Sequence, residues 1–93
     1  MRAIQTKKSF NNQVKLIYTY IVNDFGYNYA EVFHSELIKH ITLLSHFPLM
    51  GRPTVDKKVF SVKFKQNRIF YKFNEKKIIF INIVETKRIK ELI

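Results

Sequence analysis

The chain has 93 residues, no cysteine, and 17 Lys/Arg against 7 Asp/Glu, a formal net charge of +10. Disulfides and thiolate metal sites are excluded, and a reducing compartment is natural. No apolar stretch approaches the roughly 18 residues of a membrane span, and none at the N-terminus has signal-peptide character. The expectation is one small cytoplasmic domain with no membrane association.

The charge is unevenly spread. Residues 1–56 hold six Lys/Arg and four Asp/Glu, whereas residues 57–93 hold eleven and three. A basic half of this kind is a docking surface for a polyanion or an acidic protein. A domain this small buries only about 60–65% of its unfolded surface, so a partner adds much to its stability.

In chain order, Arg2–Thr6 reads as an extended edge strand, with Thr6 or Ser9 as the N-cap of the helix that follows. Phe10, Val14, Ile17, Tyr18, Ile21, Val22 and Phe25 then recur with helical spacing, and Gly26 ends the run. A second helix is predicted from Tyr27 to Ser45, on the repeat Ala30, Phe33, Leu37, Ile41 and Leu44. The short connection makes the two an antiparallel hairpin, and Pro48 blocks continuation.

After a loop from Phe47 to about Lys57 the period becomes two. Phe60, Val62 and Phe64 alternate with Ser61, Lys63 and Lys65, so a strand is predicted there, with a tight turn at Gln66–Asn67. Arg68–Phe73 and Lys77–Val84 are the next strands, separated by a turn at Asn74–Lys76. The run Ile78-Ile79-Phe80-Ile81 is apolar on both faces and belongs inside the sheet. The tail after Glu85 is charged. The predicted fold class is α+β, a two-layer domain in which a short N-terminal strand and a helical hairpin pack on a mostly antiparallel sheet (βααβββ). Its open face carries Lys63 and Lys65, with Arg68 and Lys72.

These residues resemble a known family. Tyr18-Thr19-Tyr20-Ile21, then Ala30 and Phe33, then Leu43-Leu44 leading to Pro48-x-x-Gly51-Arg52-Pro53, follow the pattern of toxins of the RelE/ParE superfamily. So do Arg68-Ile69-Phe70-Tyr71 and a last strand ending in Glu85-Thr86-Lys87-Arg88. The resemblance implies a toxin of a bacterial type II toxin–antitoxin pair, made beside an acidic antitoxin and working in a hetero-oligomer with it. It also implies one of two targets. RelE-like members cut mRNA on the ribosome, and ParE-like members poison DNA gyrase; one scaffold serves both.

Cleavage at a ribose 2′-OH needs a base, an acid for the leaving oxygen, and cations for the charged phosphorane. The positions that match such a site are Lys63, Lys65, Arg68 and Lys87, with Tyr71, Lys72 and Arg88 added for binding a target or nucleic acid. Three departures speak against a nuclease. Phe60, or Ser61 under a one-residue shift, stands where many relatives have Arg. Glu85 stands where a nuclease often has His, and no Tyr or His follows Tyr71. A gyrase-directed or otherwise non-nucleolytic toxin is the leading expectation. The ribosome-dependent nuclease is the alternative, and a non-toxic nucleic-acid-binding protein is the third.

Structural readings stand beside these. Pro48, Gly51 and Arg52 read as a fixed loop, with Arg52 pairing a carboxylate or capping a helix end. Tyr71 sits in an aromatic strand, where such a residue is more often core than catalytic. Lysines on strands also block edge-to-edge pairing. His34, His40 and His46 are spaced six apart and share no helix face, so no metal and no cofactor is expected.

Overall fold

The computed structural model describes residues 1–86. It contains β1 (Ala3–Thr6), α1 (Lys8–Phe25), α2 (Tyr27–His46), a 3-10 turn (Pro48–Met50), β2 (Arg52–Pro53), β3 (Phe60–Phe64), β4 (Asn67–Phe73) and β5 (Lys77–Glu85). The strands form one sheet in the order β1-β5-β4-β3-β2, antiparallel except where β1 lies parallel to β5. This is the expected α+β architecture, with one strand more: the two-residue β2, from the segment expected to be loop.

The hairpin forms because Gly26 takes φ +96°, a conformation that L side chains rarely adopt. Its N–H bonds the carbonyls of Ile21 and Val22 at 3.1 and 3.0 Å, closing α1 while α2 begins at the next residue. At the other end of α1 neither Thr6 nor Ser9 caps. Lys7 is the N-cap and offers no side-chain bond. Ser9 Oγ instead donates to the Ile81 carbonyl at 2.6 Å, tying the helix start to the sheet.

The helices cover one face of the sheet. Phe10, Phe33, Leu37, Ile41 and Leu44 meet Phe64, Ile69, Tyr71, Ile78, Phe80 and Ile83 in one buried cluster. Each such side chain contributes roughly 1.5–3 kcal/mol by leaving water. The end of the predicted α1 stripe departs from expectation. Phe25 is 60% exposed, because the hairpin tip projects past the core.

β5 lies between β1 and β4, which accounts for its apolar run. Pairing with β4 slips by one residue, from Phe70↔Asn82 to Tyr71↔Phe80, leaving Ile81 as an extra residue. This bulge lets both Phe80 and Ile83 face the helices. The β3–β4 turn also differs from expectation: it is built on Lys65 and Gln66, and Asn67 already opens β4. Lys65 has φ +54°, sparsely populated for a residue with a Cβ. The predicted turn at Asn74 is held by its own side chain, whose Oδ1 accepts from the N–H groups of Lys76 and Lys77 at 2.8 and 2.9 Å.

One buried phenol links the loop after α2 to the sheet. Tyr71 is fully buried; its hydroxyl donates to the Pro48 carbonyl at 2.5 Å and accepts from the Gly51 N–H at 3.1 Å. Gly51 is packed so closely that a Cβ there would meet the Tyr71 hydroxyl and stand 2.7 Å from the Ser61 carbonyl oxygen. We expect Tyr71→Phe to cost about 1–3 kcal/mol, because two buried backbone groups lose their partner. Gly51→Ala should cost about 1–3 kcal/mol by overpacking. The double variant should lose less than the two combined, since the phenol oxygen is part of both effects. Urea unfolding of the three proteins measures this, and strict additivity would contradict the shared cause.

A second prediction concerns His40. Its ring lies 5.2 Å from that of Phe64, and its buried Nε2 has no hydrogen-bond partner among the described residues. Burial lowers its pKa from the ordinary 6.5. The unfolded chain therefore takes up a proton near pH 6.5 that the fold still refuses, and stability falls as pH drops through that window towards the folded pKa. His40→Leu should flatten this part of the stability–pH curve in chemical denaturation; an unchanged slope would contradict it.

Candidate functional site

Strand alternation sorts the sheet residues. Phe60, Val62 and Phe64 on β3 lie opposite Tyr71, Ile69 and Asn67 on β4, all on the helix-covered side. The remaining positions form the open face. Lys63 pairs directly with Arg68, Ser61 with Phe70, and Arg52 of β2 with Ser61. Lys72 lies opposite Ile79, and Asn82 and Val84 of β5 continue the surface beside Phe70 and Arg68.

The result is a compact cationic patch on a partly apolar floor. Arg68 is its fixed member. Its Nη1 donates to the Ser61 hydroxyl at 3.0 Å, and the residue is half-buried. Lys63, Lys72 and Arg52 are exposed around it. Arg68 is thus preorganised for a carboxylate or phosphate, whereas the lysines act as mobile charges.

Several of the expected site residues are placed differently. Lys65 leaves the strand for the turn, and its Nζ meets Glu36 of α2 at 2.5 Å, towards the helix layer. An exposed pair of this kind contributes at most about 1 kcal/mol. Tyr71 is a fully buried core residue on the covered side. Arg52 neither pairs nor caps among the described residues; it joins the cationic face, whereas Pro48 and Gly51 are held by Tyr71. Phe60 packs at 5.9 and 5.1 Å from the rings of Tyr71 and Phe73, so the outward position near the start of β3 belongs to Ser61. Lys87 and Arg88 lie outside the described residues. The role of Ser61 as acceptor for Arg68 was not anticipated, although a hydroxyl diagonally across from Arg in an alternating strand pair is the signal for it.

The open face of β2–β5 carries no carboxylate, imidazole or phenol. Glu85 lies opposite Asn67 on the covered side. His34, His40 and His46 are all on α2, in the other layer, with His34 edge-on to Tyr18 at 6.4 Å. Among the described residues no group of three or more potential metal ligands comes together.

A second feature lies along the hairpin. An apolar groove of about 900 Å³ runs between α1, α2 and β1, lined by Phe10, Val14, Tyr18, Ile38 and Ile41, with Ile4 of the edge strand. No described helix is long and apolar enough to cross a membrane.

The architecture is thus a two-helix hairpin on a sheet with one cationic face. The family model for the ParE toxin of the type II toxin–antitoxin system parDE matches residues 4–90. The chain belongs to that family. The fold is also that of a solved structure described as the chromosomal ParDE TA system from P. aeruginosa. The two share a TM-score of 0.80 and 16% sequence identity, over 91% of this chain and 96% of that one. At that identity the likeness speaks for the fold alone. No curated protein matches the sequence.

The cationic face has a measurable property. With a short DNA duplex as a generic polyanion, affinity should fall steeply with salt. Lys63→Ala with Lys72→Ala should reduce the log–log slope by about 2, roughly one per charge removed. A slope unchanged by the double substitution would place polyanion binding elsewhere.

Proposed function

We propose that this protein is the toxin of a type II module that arrests growth by a ParE-like, non-nucleolytic route, with DNA gyrase as its target. A cognate acidic antitoxin neutralises it. Support comes from membership of the ParE toxin family. The observation that carries the choice of mechanism is the composition of the open face. Arg52, Lys63, Arg68 and Lys72 supply cations, and the Ser61 hydroxyl between them is engaged by Arg68. Cations stabilise a phosphorane, but a nuclease also needs a group that moves a proton at the 2′-oxygen, and this face of the strands offers no carboxylate, imidazole or phenol for it.

The antitoxin follows from complementary chemistry. An acidic segment studded with apolar residues suits both features, its carboxylates meeting the cationic face and its apolar side chains entering the hairpin groove. Binding of this kind stabilises a small domain by mass action. The complex is a hetero-oligomer formed in the cytoplasm.

Two assays run side by side test the mechanism. Purified protein added to gyrase and relaxed plasmid should reduce supercoiling or trap cleaved DNA. Messages on translating ribosomes, mapped by primer extension, should stay intact. Codon-spaced cuts that require translation would overturn the proposal in favour of a RelE-like nuclease using Lys63 and Arg68.

A further inference from the structure

The hairpin tip is unlike the rest of the molecule. From Leu16 to Ile38 there is no Lys or Arg, although the chain holds 17 elsewhere; the charged residues in that segment are Asp24, Glu31 and Glu36. In the same stretch Tyr20, Phe25, Tyr27 and Tyr29 are each 59–68% exposed. Three of them form one continuous surface. The Tyr20 and Phe25 rings lie 6.5 Å apart at 69°, and those of Phe25 and Tyr29 lie 6.3 Å apart at 61°, so each ring meets the next edge-to-face.

Exposed aromatics on this scale are not needed by the core, which lies further along the helices. The tip is acidic as well as aromatic. A hydrogen bond to Asp24 and its charge hold the Tyr20 phenol above its ordinary pKa, and the Glu85 carboxylate adds to the effect from the end of β5. Tyr20, Phe25 and Tyr29 do not line the apolar groove, and they lie in the helix layer rather than on the cationic sheet face.

We infer that the acidic, aromatic hairpin tip is a second docking surface, for a protein that presents Arg or Lys side chains beside an apolar centre. The choice of partner rests on charge. A guanidinium stacks well on exposed tyrosine faces and is attracted by Asp24, whereas nucleic acid and an acidic antitoxin are repelled by the same carboxylate. A polyanionic antitoxin seated on the sheet and in the groove leaves these rings exposed. The tip is therefore the surface through which the toxin engages its target, an assignment that rests on the proposed toxin function.

The test compares wild type with Phe25→Ser/Tyr29→Ser, Asp24→Asn and Asp24→Lys, each expressed from a titratable promoter. The three substituted residues, Asp24, Phe25 and Tyr29, are solvent-exposed at the tip, so melting temperature and retention of a poly-glutamate peptide by the sheet face should match wild type. The double variant should require at least tenfold more protein to arrest growth. The Asp24 series should weaken in the order wild type, Asn, Lys. Undiminished arrest by the double variant overturns the inference while leaving the toxin reading intact. Stronger arrest by Asp24→Lys overturns the cationic partner and points to nucleic acid or an acidic protein. Concentration-dependent self-association in sedimentation, lost in the double variant, assigns the patch to a second copy and overturns it too. A wild type that does not arrest growth at all removes the toxin reading, and this inference with it.

Discussion

Tyr71 sets the relation between the two parts of the molecule that matter most. Its ring packs 5.9 Å from both Phe60 and Phe80, in the middle of the sheet's covered side, and its hydroxyl holds both ends of the turn from Pro48 to Gly51. A buried hydroxyl needs partners, and a buried turn needs its backbone groups satisfied. Each meets the requirement of the other. Because Gly51 is fixed against the Ser61 carbonyl, the chain leaves it directly as β2, and Arg52 is delivered opposite Ser61. One interaction inside the core therefore places a cation on the outside.

Alternation then does the rest of the sorting. Once Phe60, Val62, Phe64, Ile69 and Tyr71 are committed to the helices, Ser61, Lys63, Arg68 and Lys72 have no choice but the other side. Like charges gather there not because they attract but because the register forbids them the covered side. The arrangement is tolerable on an exposed face, where water and salt screen it, and it becomes favourable when an anionic partner arrives. The hairpin, with no Lys or Arg between Lys15 and Lys39, differs from that face in the opposite sense. A domain of net charge +10 thus spreads its charge unevenly, with cations on the open sheet face and none from Lys or Arg at the hairpin tip.

Much of this was legible because periodicity reports burial. The two helices, the three long strands, the Gly26 break and the Asn74 turn follow from spacing and from residues with special backbone needs. What escaped depends on events that leave no local trace. Phe25 keeps the helical period but lies beyond the sheet it would need to cover. Lys65 takes φ +54° in a turn that a local reading assigned to Gln66–Asn67, and its ion pair with Glu36 is long-range. For the site, Lys63, Arg68 and Lys72 came from alternation alone. Tyr71 was ambiguous because an aromatic strand residue has the same sequence signature on either face, and only the register decides. The acidic tip was passed over, because its signal is the lack of Lys and Arg from Leu16 to Ile38 and a comparison of the two halves of the chain averages it away.

A fold by itself does not choose between cutting RNA and blocking an enzyme. The choice lies in a few outward positions. A strand pair that projects cations around a hydroxyl already engaged by an arginine is suited to an anionic partner. For cleavage it would also need a group that exchanges a proton near neutral pH, and on this sheet the three histidines stand in the other layer while Glu85 faces the wrong way. Moving one of them across would require a change of register or of connection, not a rotamer change. Among the described residues the outward positions of these strands are therefore cationic and carry no acid or base titrating near neutral pH, and on that composition the proposed mechanism rests.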